Sequence, residues 1–237
     1  MSIADNLAAI RERIAEAARR AGRNPAAITL MAVTKTQPPA RIVEAFQASQ
    51  RLFGENRVQE FAEKFPALGE LRDAEFHMIG HLQSNKAAKA AEVFAAIDSV
   101  DSAKLAEWLN AAAEKLGTSL DALIEINIGG EEAKNGVAPD TPELEQILAG
   151  APQWPHLRLR GLMTVPPFTD DPEDARPYFR GLRELCDRLA ARSLPGISFD
   201  VLSMGMSHDF EVAIEEGSTC VRIGTAIFGE RECLAKS

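Results

Sequence analysis

Residues 28–47, ITLMAVTKTQPPARIVEAFQ, hold the unit from which the chain is built. Ile28–Thr34 is a short, mostly apolar run that predicts a buried strand. Pro39–Gln47 predicts the helix behind it, with proline in the first turn, where a missing N–H costs nothing. Working outward, the same order returns. Arg51–Phe53 precedes Val58–Phe65, Phe76–Ile79 precedes Asn85–Val93, and Ala95–Val100 precedes Ala103–Leu116. In the last of these, Asp101 or Ser102 can cap the helix start and Gly117 its end. Leu123–Ile128 is the fifth strand, and Thr141-Pro142-Glu143 opens a helix with a cap, a proline and a carboxylate at the dipole's positive end. Leu157–Met163 precedes Asp174–Arg192, Phe199–Ser203 precedes Asp209–Glu216, and Cys220–Ile223 is the eighth strand. Repeated βα order implies a parallel sheet. Eight units in 237 residues predict one closed (β/α)8 TIM barrel rather than an open doubly wound sheet. The expected organisation is a single domain over residues 1–237. It includes an extra N-terminal helix, whose Ile3, Leu7, Ile10 and Ile14 recur at helical spacing.

Composition narrows the function classes. Lys and Arg number 26 against 35 Asp and Glu, a net charge of −9. That balance excludes a nonspecific nucleic-acid binder, which needs a basic face to displace counterions. It leaves room for a small anion in a locally positive pocket. No apolar run approaches the roughly 18 residues that span a bilayer, and the first 22 residues lack an apolar signal core. Cys186, Cys220 and Cys233 are odd in number and far apart, so reduced thiols in a cytoplasmic protein are expected.

A parallel barrel carries its chemistry at the C-terminal ends of its strands. Lys35 follows the first strand, Gly54-Glu55-Asn56 the second, and Gly80–Lys86 the third. Ser203-Met204-Gly205-Met206-Ser207 follows the seventh, and Gly224–Gly229 the eighth. Lysine at the end of a buried strand is desolvated toward the neutral amine, which forms Schiff bases with aldehydes. It also serves as a snorkelling rim residue. SMGMS and RIGTAIFG have the small residues and hydroxyls of a phosphate site, at the two strands where barrels often build one. Ordinary tight turns need glycine too. Arg222 sits inside VRIG, on the same strand face as Gly224, and must be paired if buried. His77 and His81 are four apart, but FHMIGH reads as strand then turn, which separates them and leaves no metal site.

AVTKT around Lys35, FGENRVQE at 53–60, HMIGHLQSNK at 77–86, RGLMTVP at 160–166, SMGMSHDFEVAI at 203–214 and VRIGTAIFG at 221–229 together resemble the pyridoxal phosphate homeostasis protein family, from end to end. The resemblance implies the alanine racemase N-terminal barrel and binding of pyridoxal 5′-phosphate (PLP). It implies that Lys35 carries the PLP aldehyde as an internal aldimine, and that Ser207, Gly224 and Thr225 hold the phosphate with Ser203 and Met204 nearby. Arg222 would face the pyridine nitrogen, and Asn56 and His77 would line the pocket. Two departures stand out. Arg57 replaces the family's frequent tyrosine after GEN, and Ala133-Lys134-Asn135-Gly136 replaces its Ser-Lys-x-Gly.

PLP catalysis uses the ring as an electron sink, which a carboxylate on the pyridine nitrogen strengthens. Arginine has no acceptor and weakens it. The racemases also draw a tyrosine from a second domain, for which this chain has no room, and Tyr178 is its only tyrosine. The expectation is a non-catalytic PLP holder of vitamin B6 homeostasis, monomeric, serving PLP-dependent apo-enzymes. A weak PLP-dependent racemase or lyase stays open. So does a barrel enzyme using Lys35 on a phosphorylated sugar.

Overall fold

The computed structural model describes residues 2–131 and 135–229. Ala133, Lys134 and Cys233 lie outside the described residues. Eight strands close into a barrel in chain order, each parallel to both neighbours: β1 (Thr29–Val33), β2 (Leu52–Glu55), β3 (Glu75–Met78), β4 (Ala96–Val100), β5 (Leu120–Glu125), β6 (Leu157–Met163), β7 (Ile197–Ser203) and β8 (Cys220–Ile223). β8 closes on β1 through Thr29↔Cys220 to Ala32↔Ile223.

The helices are α1 (Ile3–Arg20), α2 (Pro39–Gln47), α3 (Val58–Lys64), α4 (Ala87–Val93), α5 (Ala103–Lys115), α6 (Pro142–Gly150), α7 (Arg176–Ala190), α8 (Phe210–Glu215) and the four-residue α9 (Thr225–Phe228). Expected caps are in place: Ser102 Oγ accepts from Leu105 N, Thr141 Oγ1 accepts from Leu144 N, and Gly117 turns the chain at φ +65°. Because α9 is a single turn, α1 takes the outer position behind the last strand. It packs against α2, α8 and α9. Its Ile3, Leu7, Ile10 and Ile14 are buried, as their spacing predicts, and Asn6 donates to the carbonyl of Ile227 at 2.9 Å.

The main core lies between strands and helices. Behind β2 and β3, Phe53, Phe61, Phe76 and Phe94 stack with ring centroids 4.7–5.2 Å apart. Several strand bounds differ from the sequence expectation. β2 runs on through Glu55, β7 starts earlier, at Ile197, and β5 occupies Leu120–Glu125, not Leu123–Ile128. The apolar LIEINI run has strand propensity throughout. Pairing fixes the register, because Leu120 must meet Leu157 on β6, and beyond Glu125 only an isolated bridge from Ile126 to Val137 remains.

Gly161 marks the tightest backbone approach. It has φ +152°, sits where β6 shifts register against both neighbours, and any Cβ there would run into the carbonyl oxygen of Val201. Gly161→Ala is expected to cost about 3 kcal/mol, combining overpacking with an unfavourable φ. Thermal unfolding should show a Tm lower by roughly 10 °C for a domain of this size.

Candidate functional site

Lys35 lies two residues past β1, after Thr34, and is half-buried at the C-terminal mouth of the barrel. Barrel closure sets the turn after β8 beside this strand: a Cβ on Gly224 would sit 3.5 Å from Val33 Cβ. The loop after β7 meets the same turn. Ser207 Oγ accepts from Gly224 N at 3.3 Å and from Ala226 N at 3.5 Å, so two backbone donors converge on one point. Gly205, at φ +95°, makes that loop feasible, since a Cβ would lie 2.6 Å from Ala213 Cβ. Asp209 shapes it further by accepting from Met206 N at 2.6 Å. Thr225 is exposed at the turn.

Arg222 lies on β8, buried at 3% exposure. It donates to Ser203 Oγ and to the carbonyl of Thr164, both at 2.7 Å. Burial pulls its guanidinium below the ordinary value, and the charges of Asp98, Glu125 and Asp209 oppose that pull. These hydrogen bonds fix the guanidinium plane, so its remaining N–H groups have a set direction. Met204 differs from its neighbours. Its side chain belongs to the core between sheet and helices, and its N–H donates to the carbonyl of Cys220.

Asn56 follows β2, and its Oδ1 is buried without a hydrogen-bond donor among the described residues. A cavity of about 140 Å³ opens beside it, lined by Arg57, His81, Gln83 and Lys86 among others. Arg57, where the resembling family often has tyrosine, thus adds to a basic rim. Glu125, at the end of β5, is a second buried acceptor whose Oε2 has no donor among the described residues. Sequence reasoning passed over it, although alternation places it on the same strand face as Leu123 and Asn127.

His77 is the correction. It pairs through Nδ1 with the buried Asp98 at 3.1 Å, and its ring lines a cavity of about 380 Å³. Thr29, Leu52, Asp121 and Thr219 also line that cavity, so it opens at the strands' N-terminal ends, opposite Lys35. His81 pairs instead with Asp101 at 3.2 Å, so the two histidines do not converge. Cys186 and Cys220 are buried free thiols, pushed by that burial up to about 11 and about 12.

Burial, with Asp101 nearby, pushes Glu125 up from 4.5 to about 7, while Arg222 pulls the other way. Between those pH values the folded protein holds a proton that the unfolded chain has released. Its stability therefore falls as pH rises through that window. Glu125→Gln is expected to remove this loss. Denaturant unfolding should show it more stable than the parent by about 2–3 kcal/mol at pH 8, and little changed near pH 4.

A family model described as alanine racemase, N-terminal domain, matches residues 6–232. The pyridoxal phosphate homeostasis protein of Aquifex aeolicus (strain VF5) is 46% identical over 232 residues, covering 98% of this chain and 100% of that protein. The protein of the same name from Escherichia coli (strain K12) is 44% identical, covering 97% of each. The structure of PipY from Synechococcus elongatus PCC7942 with PLP bound superposes with a TM-score of 0.81 at 37% identity, covering 96% of this chain and 100% of PipY. The chain belongs to the alanine racemase N-terminal domain family and, within it, to the pyridoxal phosphate homeostasis proteins.

Proposed function

We propose that this chain binds PLP reversibly at the C-terminal mouth and acts in vitamin B6 homeostasis, buffering or delivering the ligand without robust turnover. The observation that carries this reading is the barrel closure, which sets the Ser207–Gly224 turn beside Val33, the last residue of β1 and two before Lys35. One end of the mouth then offers an amine for an aldehyde, and the other offers backbone and hydroxyl donors for a phosphate. Condensation of Lys35 Nζ with the PLP aldehyde forms a C=N bond and releases one water. Ser207, Gly224 and Thr225 hold the phosphate, with Ser203 beside them. Met204 contributes through backbone position alone. The relatives support the ligand by name, and PipY by its bound PLP.

The residues fit the group at a further point. PLP brings polar ring substituents into a mouth where Asn56 Oδ1 and Glu125 Oε2 have no protein donor among the described residues. Arg222 is the residue for the pyridine nitrogen. It is donor-only: it cannot accept from a protonated ring N–H and instead donates to the nitrogen's lone pair, which keeps the nitrogen unprotonated and the electron sink weak. Tyr178, the only tyrosine, is half-buried in the first turn of α7, and no second domain contributes another to the proposed reading. The donor-only partner favours a holder over a racemase. No helix among the described residues is long and apolar enough to cross a membrane. The proposed setting is the cytoplasm, with the protein a monomer and PLP-dependent apo-enzymes as recipients.

The test is reconstitution. Purified protein incubated with PLP and then desalted should retain a visible band, and borohydride should fix the adduct on Lys35. A colourless protein with no reducible adduct overturns the reading. Robust turnover on a panel of amino acids, in racemase, lyase and transaminase assays, would replace the holder with an enzyme.

A further inference from the structure

The segment that carries Lys35 is held on both sides by one ionic group, buried at Glu55 and Lys64 and partly exposed at Glu60, that the site description has not used. Lys64 closes α3, with its side chain only 11% exposed. Its Nζ donates to the carbonyl of Thr34 at 3.2 Å and to Glu55 Oε1 at 3.1 Å, and it pairs with Glu60 at 2.7 Å. Glu55 is fully buried and also accepts from Thr34 Oγ1 at 2.8 Å. Glu60 reaches the other side of the lysine and accepts the N–H of Thr36 at 2.7 Å. The residues before and after Lys35 are thus tied to one ionic group.

Two features say that this group does more than fill space. Burying a cation and a carboxylate carries a desolvation cost that apolar side chains of the same size avoid. Thr36 has φ +64°, a conformation that β-branched residues rarely adopt, and it persists only where the surroundings over-determine it. The Glu60 carboxylate supplies that determination by fixing the Thr36 N–H. The consequence falls on the residue between the anchors, whose Cα and side-chain direction are set by a backbone pinned at both flanks.

We propose that Glu60 and Lys64, with Glu55, are positioning residues that orient Lys35 toward the aldehyde of its ligand. The inference rests on Lys35 being the PLP-bearing residue. They touch no ligand, and they act through the Thr34 carbonyl and the Thr36 N–H. The chemistry of recognition makes a specific demand: the atom at the end of residue 60 must accept a hydrogen bond, and its charge matters less.

The test compares Glu60→Ala with Glu60→Gln in the full chain, using PLP as the probe. Residue 60 is partly exposed, so both variants are suited to folding, and Lys64→Met is a third arm. Each is read by visible titration with PLP, by the fraction fixed to Lys35 by borohydride, and by amide hydrogen exchange of residues 34–37 without ligand. Glu60→Ala should weaken attachment at Lys35 about tenfold, as displacement of a reacting group by a fraction of an ångström does. It should also speed exchange at Thr36. Glu60→Gln keeps an acceptor and should stay within about twofold of the parent. Parent-like titration and exchange in Glu60→Ala overturn the proposal, as does a Glu60→Gln defect as large as that of the alanine variant. The exchange arm needs no PLP. A parent protein that takes up no PLP overturns the functional reading, while the exchange rates still decide whether Glu60 pins the lysine segment.

Discussion

Lys35→Ala is expected to yield a folded protein that stays colourless after incubation with PLP and desalting. The colour requires conjugation of the imine with the ring, and the imine requires an amine at that position. Other lysines are present, but the proposed phosphate donors at Ser207 and Gly224 would fix where the ligand sits, and β1, whose last residue Val33 lies two before Lys35, is against that turn. The substitution removes a half-buried side chain at the barrel rim, so Tm should move little. Noncovalent binding through the phosphate should survive at reduced affinity, measurable by equilibrium dialysis. A protein-bound band of parental intensity in the variant would relocate the attachment and defeat the assignment of Lys35.

Arg222→Met should produce the second-largest effect, on stability as much as on binding. Arg222 is buried and donates to Ser203 Oγ and to the Thr164 carbonyl. Methionine has comparable volume but no donor, so two acceptors would be stranded in the barrel. Each buried unmade hydrogen bond costs about 1–3 kcal/mol. The buried carboxylates that face Arg222, Asp98, Glu125 and Asp209, would also lose their cation. An overall loss of about 4 kcal/mol is expected, within the range for breaking buried ionic arrangements. Denaturant unfolding checks it, and a change below about 1 kcal/mol would show that the interior tolerates the loss. On the proposed placement of Arg222 at the ring nitrogen, PLP loaded into any folded fraction should show a shifted absorption maximum.

The barrel was legible because its signal is distributed. Each βα unit carries its own apolar run and its own punctuation, and Ser102, Thr141 and Gly117 do at their helix ends what their side chains predict. Register was less legible. LIEINI looks equally strand-like along its length, and the partner strand, not its own propensity, places β5 at Leu120–Glu125. Depth was least legible. Alternation tells which face of a strand His77 occupies but not how far down the barrel axis it lies, so a residue read as bordering the mouth belongs to a cavity at the other end. Lys35, Asn56, Ser207 and Gly224 could be placed at the C-terminal end because they lie in the segments that follow strands. Glu125 and Lys64 were not. A lone carboxylate in an apolar run and a Glu60–Lys64 pair at i, i+4 look like surface features, and burial by distant segments changes their meaning.

The pairing of β1 with β8 has a consequence for synthesis. Thr29 finds its partner in Cys220, so nearly the whole described chain must leave the ribosome before the first strand gains its second neighbour. Until then β1 presents a row of unpaired N–H and C=O groups, the kind of edge on which nascent chains aggregate. The loops at 203–207 and 224–226 emerge last as well. A translation intermediate halted before β8 can hold most of its helices and still have no mouth. Competence for the ligand therefore arrives in one late step, when the final strand locks the ring.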